Sequence, residues 1–171
     1  AGSVTNVREA VLWLSYTYLF VRMLRNPRVY GISFQDKMED PMLQMKRLSL
    51  VCDAARRLDE SRLIRYDETS GHFAATDLGR VASHFYIQHE TMDRFYRAME
   101  STSLDDAGLL KLLCSAQEFT QIKVRDEELR ELDDIRSQLP LPLVGDVANT
   151  EGKVFALLLS YFARQPVRAF T

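Results

Sequence analysis

The chain has 171 residues, a formal net charge of −2, 46% hydrophobic residues and 27% charged residues. That composition excludes a disordered chain, which needs fewer apolar side chains and more net charge. The near-even charge excludes an overall electrostatic pull toward nucleic acid or membrane. Two cysteines, Cys52 and Cys114, are too few for a disulfide framework at this length, so a reduced, intracellular setting is expected.

Asn6 with Glu9 three residues on reads as a helix N-cap and its partner. The helix it opens is expected to run to about Asn26, where Pro27 stops it. Val7, Ala10, Val11, Leu14, Tyr18 and Val21 share one face, and Trp13, Tyr16, Leu19 and Phe20 cover most of the rest. A helix this apolar all round is expected to be buried on several sides, Trp13 included. The run is too short and too polar to span a bilayer, which takes about 20 apolar residues.

Asn26-Pro27 and Tyr30-Gly31 mark a turn, and Asp40-Pro41 reads as a second helix start. Met45, Leu48, Cys52, Ala55 and Leu58 carry helical spacing to about Glu60. Leu63–Asp67 and His72–Ala75 flank the Gly-containing loop Glu68-Thr69-Ser70-Gly71, as in a β-hairpin. Helix, helix, hairpin is the order of a winged-helix domain, with the hairpin as its wing. From Thr76 onward the pattern is helical: 77–88, a short helix capped by Thr91, one opened by Ser103 and Asp106, the charge-dense stretch 126–138, and a last helix capped by Thr150. The fold class is therefore mainly α, a winged-helix domain over 4–75 followed by an all-helical bundle segment over 76–171. Residues 1–75 carry 11 Lys+Arg against 9 Asp+Glu, and residues 76–171 carry 11 against 15.

No motif for catalysis emerges. Gly152-Lys153 is the one Gly-Lys pair, but Val154 follows it and Gly145 lies too far upstream for a phosphate-binding loop. It reads as the first turn of a helix. Asp59-Glu60, Asp67-Glu68 and Asp126-Glu127 follow no buried strand that could place them on a metal. His72, His84 and His89 join neither cysteine at a ligand spacing. The expectation is no catalytic, cofactor-binding or metal residue in this chain.

The second helix of a winged helix commonly lies along a groove, with basic residues off its core stripe meeting phosphates. Lys46, Arg47, Arg56, Arg57 and Arg62 suit that geometry and are the candidates for nucleic-acid or interdomain contact. Asp53, Asp59 and Glu60 are interleaved with them, and the wing tip Asp67-Glu68 is acidic, so a packing role against neighbouring domains is the expected one. A stand-alone winged-helix DNA-binding domain, or a scaffold that binds a partner through the Trp13 helix and the acidic stretch 126–138, are the competing readings.

The string Trp13–Pro27, followed by Tyr30-Gly31-Ile32, closely resembles the winged-helix segment of the large Ski-two-like RNA helicases with two tandem cassettes. Thr76–Ile87 resembles the start of the helical unit that follows it, named for homology to the translocation protein Sec-sixty-three. Glu118-Phe119, Ile122–Glu128 and Gly152-Lys153-Val154 continue the likeness, which runs from about Val4 to Arg164. Two branches of the family compete. Gln121–Arg125 and Asp77–Arg80 look more like the activating signal cointegrator complex branch; Leu139–Pro142 looks more like the spliceosomal branch that unwinds small nuclear RNAs. The balance falls to the first.

The resemblance implies a non-catalytic module of an ATP-dependent RNA helicase, linking motor domains to a helical bundle and helping to enclose single-stranded nucleic acid. ATP and Mg would serve the parent protein, with no cofactor in this stretch. The motor domains would lie upstream and the strand-gripping helix downstream. Partners would be the motor domains of the same chain, RNA, and subunits of a larger complex, with no membrane, inside the cell in nucleus and/or cytoplasm.

Overall fold

A computed structural model describes residues 2–101, 103–138 and 146–167. It is mainly α, with one two-stranded antiparallel sheet. Packing divides the chain into two compact units, Ala1–His89 and Glu90–Thr171.

In the first unit the expected long helix is two: α1 (Val7–Leu14) and α2 (Tyr18–Arg25). Hydroxyls cause the break. Ser15 Oγ donates to the Leu12 carbonyl at 2.5 Å and Thr17 Oγ1 to that of Leu14 at 2.7 Å, local bonds that compete with the helical ladder. Thr17 then caps α2 by accepting from the Phe20 amide at 3.4 Å. A short α3 (Phe34–Glu39) follows, opened by a capping box in which Ser33 and Asp36 satisfy each other's backbone amides. That Ser-x-x-Asp signal was readable in the sequence. Asp40, expected to cap the next helix, closes α3 instead. Its carboxylate reaches forward to the Met45 amide at 2.7 Å, and α4 (Gln44–Glu60) starts behind Leu43, which is held at φ 52°.

The hairpin forms as expected: β1 (Ile64–Asp67) pairs with β2 (His72–Ala75), Ile64 opposite Ala75 and Asp67 opposite His72. The N-terminal segment lies along the free edge of β2. The Phe73 amide donates to the Thr5 carbonyl at 2.8 Å and the Val7 amide to that of Gly71 at 2.9 Å. This satisfies edge groups that would otherwise face a new strand. Phe20, Met23, Ile32 and Leu43 form the buried core, with Leu24, Tyr30 and Leu50 against it.

The sequence pattern changes from hairpin to helices at 75/76, yet the next helix, α5 (Asp77–Phe85), packs in the first unit. The Thr76 hydroxyl donates to the carbonyls of Arg62 and Leu63 at 2.7 and 2.9 Å and accepts from the Gly79 amide at 3.0 Å. Gly79 lies so close to β1 that a Cβ there would stand 1.9 Å from the Leu63 oxygen.

The second unit holds α6 (His89–Ser101), α7 (Asp106–Cys114), α8 (Leu129–Gln138) and α9 (Thr150–Phe162). Asp105 caps α7 by accepting from Gly108, and Asn149 caps α9 by accepting from Gly152; the sequence pointed to Ser103 and Thr150. Thr91 is no cap either. It lies buried within α6, donating to Glu118 at 2.7 Å and accepting from the Gln117 amide at 3.0 Å. α9 is the central helix: Val154, Phe155 and Leu159 pack with Cys114, while Ala156 packs with Leu132, Ile135 and Val147.

The burial expected for the Trp13 helix does not hold: Trp13 is 63% exposed, and no residue of α1 is fully buried. The break at Ser15 leaves α1 with one covered flank, against α4. Trp13→Ala is therefore expected to cost about 1 kcal/mol or less in urea unfolding, in place of the several lost with a buried Trp. Gly79→Ala is expected to cost about 3 kcal/mol, since the carbonyl it meets is held by the hairpin. A small loss for Gly79→Ala in the same titration would refute the close approach.

Candidate interdomain and nucleic-acid face

The five basic candidates do not form one face. Arg47 is only 8% exposed. Its Nη1 donates to the Val11 carbonyl in the last turn of α1 at 3.0 Å, and its guanidinium lies 4.8 Å from the Phe20 ring centroid. It is a packing cation, turned inward. Arg56 is engaged by Asp53 at 3.1 Å and by Glu68 at 2.6 Å, which fastens α4 to the wing. The Glu68 hydrogen bond raises the Arg56 pKa above its ordinary value.

Lys46 is half-buried and Arg57 exposed. Eleven residues is close to three helical turns, so these two share a side of α4, separated by about 16 Å along its axis. Arg62 sits in the connection to β1 at φ 59°.

What the sequence missed is an apolar face on the first unit. A groove of about 560 Å³ runs between α1, α4 and the hairpin, lined by Trp13, Leu14, Leu19, Val51, Ala54 and Phe73 among others. Trp13 and Leu19 sit exposed at this groove, and Tyr16 and Tyr18 are exposed in the same stretch of chain. Single exposed apolar residues are ordinary, whereas a run of large ones marks a contact surface. The apolar runs Ala10–Leu14 and Tyr18–Val21 are the available signal, and by periodicity alone they look like core.

A second missed feature is an ion pair inside the second unit. Lys153 and Glu128 are both buried, the ammonium donating to the carboxylate and, at 3.1 Å, to the Lys123 carbonyl. The Arg125 amide donates to the same carboxylate at 3.3 Å. The Lys153 hydrogen bond holds the Glu128 pKa below the ordinary value of 4.5, against the opposing effect of burial. This also settles the Gly152-Lys153 pair. A Cβ on Gly152 would stand 2.1 Å from the Asp146 carbonyl oxygen, and Lys153 is spent on Glu128, so neither is free to cradle a phosphate. That pair does not fit the phosphates of a nucleotide. Among the described residues no group of three or more His, Cys, Asp or Glu could hold a metal ion, and no helix is long and apolar enough to cross a membrane.

A carboxyl whose pKa is lowered by folding stabilises above its unfolded value and loses that contribution as pH falls through the folded one. Stability of the second unit is thus expected to fall as the pH drops below about 4.5, with a shallower acid limb in Glu128→Gln. Glu128→Ala, which strands a buried ammonium, is expected to cost about 3 kcal/mol at neutral pH. Chemical denaturation across pH, followed by circular dichroism, checks both.

Known proteins match the chain along its full length. Residues 1–60 match the Winged Helix-turn-helix domain and residues 75–171 the Sec63 Brl domain. Activating signal cointegrator 1 complex subunit 3 of Gallus gallus is 45% identical over 171 residues, 99% of this chain and 8% of that protein. The DExH-box ATP-dependent RNA helicase DExH14 of Arabidopsis thaliana is 43% identical over the same span. The U5 small nuclear ribonucleoprotein 200 kDa helicase of Homo sapiens is 38% identical over 169 residues. The chain spans 8% of the length of each of these relatives. The Sec63 Brl match takes in more than half of the residues, so the chain belongs to the Sec63 Brl domain family, with a winged-helix match preceding that region.

Proposed function

We propose that the chain is a non-catalytic module of an ATP-dependent RNA helicase of the Ski-two-like, tandem-cassette kind. It packs on the motor domains of its parent chain and helps enclose single-stranded RNA. The carrying observation is the exposed aromatic run Trp13, Tyr16 and Tyr18 with Leu19, beside a ready-made apolar groove. A unit this size leaves so much aromatic surface uncovered where another domain is to cover it. The domains are 4–75 for the winged helix and 76–171 for the opening of the helical unit, a division supported by the Sec63 Brl match from residue 75.

Identity favours the cointegrator-complex branch, at 45% in Gallus gallus, over the U5 helicase branch, at 40% in Drosophila melanogaster. ATP and Mg serve the parent's motor domains, the partners are those domains, RNA and subunits of a larger complex, and the setting is the cell interior, nucleus or cytoplasm. Lys46, Arg57 and Arg62 are assigned to contacts with neighbouring domains. Arg47 and Arg56 hold α4 to α1 and to the wing. With Arg47 and Arg56 engaged inside the unit, the α4 candidates alone offer few charges for counterion release in single-strand binding.

In the parent helicase, Trp13→Glu with Leu19→Glu is expected to reduce RNA-stimulated ATP hydrolysis by about tenfold, while the same pair leaves the fold of the 171-residue chain intact by circular dichroism. The chain alone is expected to bind single-stranded RNA weakly and with a flat salt dependence, unchanged by Lys46→Glu with Arg57→Glu. Full ATPase activity in the Trp13/Leu19 variant would refute packing through this face. Tight, salt-steep binding of duplex DNA by the chain would favour the DNA-binding reading instead.

A further inference from the structure

The outer face of α2 turns away from the core. Tyr18, Val21, Arg22 and Arg25 recur at helical spacing on the side opposite Phe20 and Met23, and all four are exposed. The 3-10 turn Pro27–Tyr30 continues this face with Arg28 and Val29, both exposed. Arg22 joins the two pieces, its guanidinium 6.0 Å from the Tyr30 ring centroid.

No Asp or Glu occurs from Ala10 to Gln35, so the face carries three cations and no local counter-charge. Exposed arginines elsewhere in the chain find acids: Arg56 meets Asp53 and Glu68, Arg80 meets Asp77, and Arg97 meets Asp93. Arg22, Arg25 and Arg28 have no ion pair among the described residues. The acids at the neighbouring α3 are engaged at home, Asp36 with Ser33, Glu39 with Gln35 and Asp40 with the Met45 amide. Cations in a last turn commonly serve the negative end of a helix. That end is already served here: Lys37 Nζ donates to the Leu24 carbonyl at 2.6 Å, and the Asn26 amide to that of Arg22 at 2.8 Å.

We propose that this face binds an acidic segment of a partner protein, its carboxylates on Arg22, Arg25 and Arg28 and its apolar side chains on Val21 and Val29. A guanidinium fork takes a carboxylate or a phosphate equally well, so the surface between the cations makes the choice. A single-strand platform stacks successive bases on a row of rings. Tyr18 is the one exposed ring on this face, because Tyr30 is half-buried beside Arg22, whereas both valines stand exposed among the arginines. Arginine interleaved with apolar side chains is the composition of a protein interface. None of the three arginines lines the Trp13 groove, so the proposal does not rest on the packing assigned to that groove.

The test titrates a fluorescein-labelled peptide of roughly 12 residues, about 40 Å when extended, into the 171-residue chain. Two of every three peptide positions are Glu and the third is Leu, and a second version has Gln for Glu. The Glu peptide is expected to bind saturably, with anisotropy rising, and the Gln peptide about tenfold more weakly. Arg25→Glu with Arg28→Glu is expected to weaken the Glu peptide by about tenfold or more. Arg57→Glu with Arg65→Glu, the same change of charge at other exposed positions, is expected to leave it unchanged. The neutral pair Arg25→Gln with Arg28→Gln is expected to weaken it in the same direction, which separates lost contacts from added repulsion. Absent saturable binding, equal affinity for the two peptides, or equal loss in both double-Glu variants would each overturn the proposal. So would displacement of the peptide by an oligouridine whose own binding is lost in the Arg25/Arg28 variant, a result that makes the face an RNA site.

Discussion

Apolar surface in excess of what one small unit can cover governs the first half of this protein. The stretch from Ala10 to Leu24 is apolar in nearly every direction, and a straight helix of that kind needs neighbours on all sides. The chain breaks it at Ser15 and Thr17, so Phe20 and Met23 enter the core with Ile32 and Leu43. Trp13, Tyr16 and Tyr18 are left outside. The break divides the apolar surface into a part that folds the unit and a part that stays exposed. Covering surface of this kind is worth about 25 cal/mol per Å², which makes the aromatic face a store of association energy.

Buried charge is handled in two ways. In the second unit Lys153 and Glu128 neutralise each other, and the Lys123 carbonyl and Arg125 amide take up further hydrogen-bonding capacity. That pair pins the turn before α8 to the first turn of the central helix α9. In the first unit Arg47 has only a carbonyl at the end of α1 and the face of Phe20. The α1 C-terminus offers a partial negative charge, which suffices to place the guanidinium but leaves Nε unbonded.

Backbone proximity does the remaining work of joining α5 to the hairpin. Gly79 admits the Leu63 carbonyl, and the Thr76 hydroxyl spans two carbonyls across the β1 start. A helix whose pattern belongs with the later ones is held to the first unit by contacts that only a residue without a side chain allows. Structural packing and sequence likeness therefore divide the chain at different places, 89/90 and about 75.

The sequence by itself determined what local chemistry determines. Period and turn residues specified the hairpin, the Thr76 cap, the bodies of α4 and α9 though not their caps, and the mainly α class, and the strings around Trp13, Thr76 and Ile122 carried the family. It also placed Gly152-Lys153 in a helix rather than a phosphate loop. Tertiary structure decided which apolar residues are covered and which cations are free. Arg47 meets Val11 across 36 residues and Lys153 meets Glu128 across 25, and no periodicity within a helix can register a partner that distant. Lys46, Arg47, Arg56 and Arg57 look alike along α4, yet one is buried on Phe20 and another is bound to the wing. The difference lies in what packs against each turn of the helix, and that is set by long-range contacts whose geometry exists only once the chain has folded.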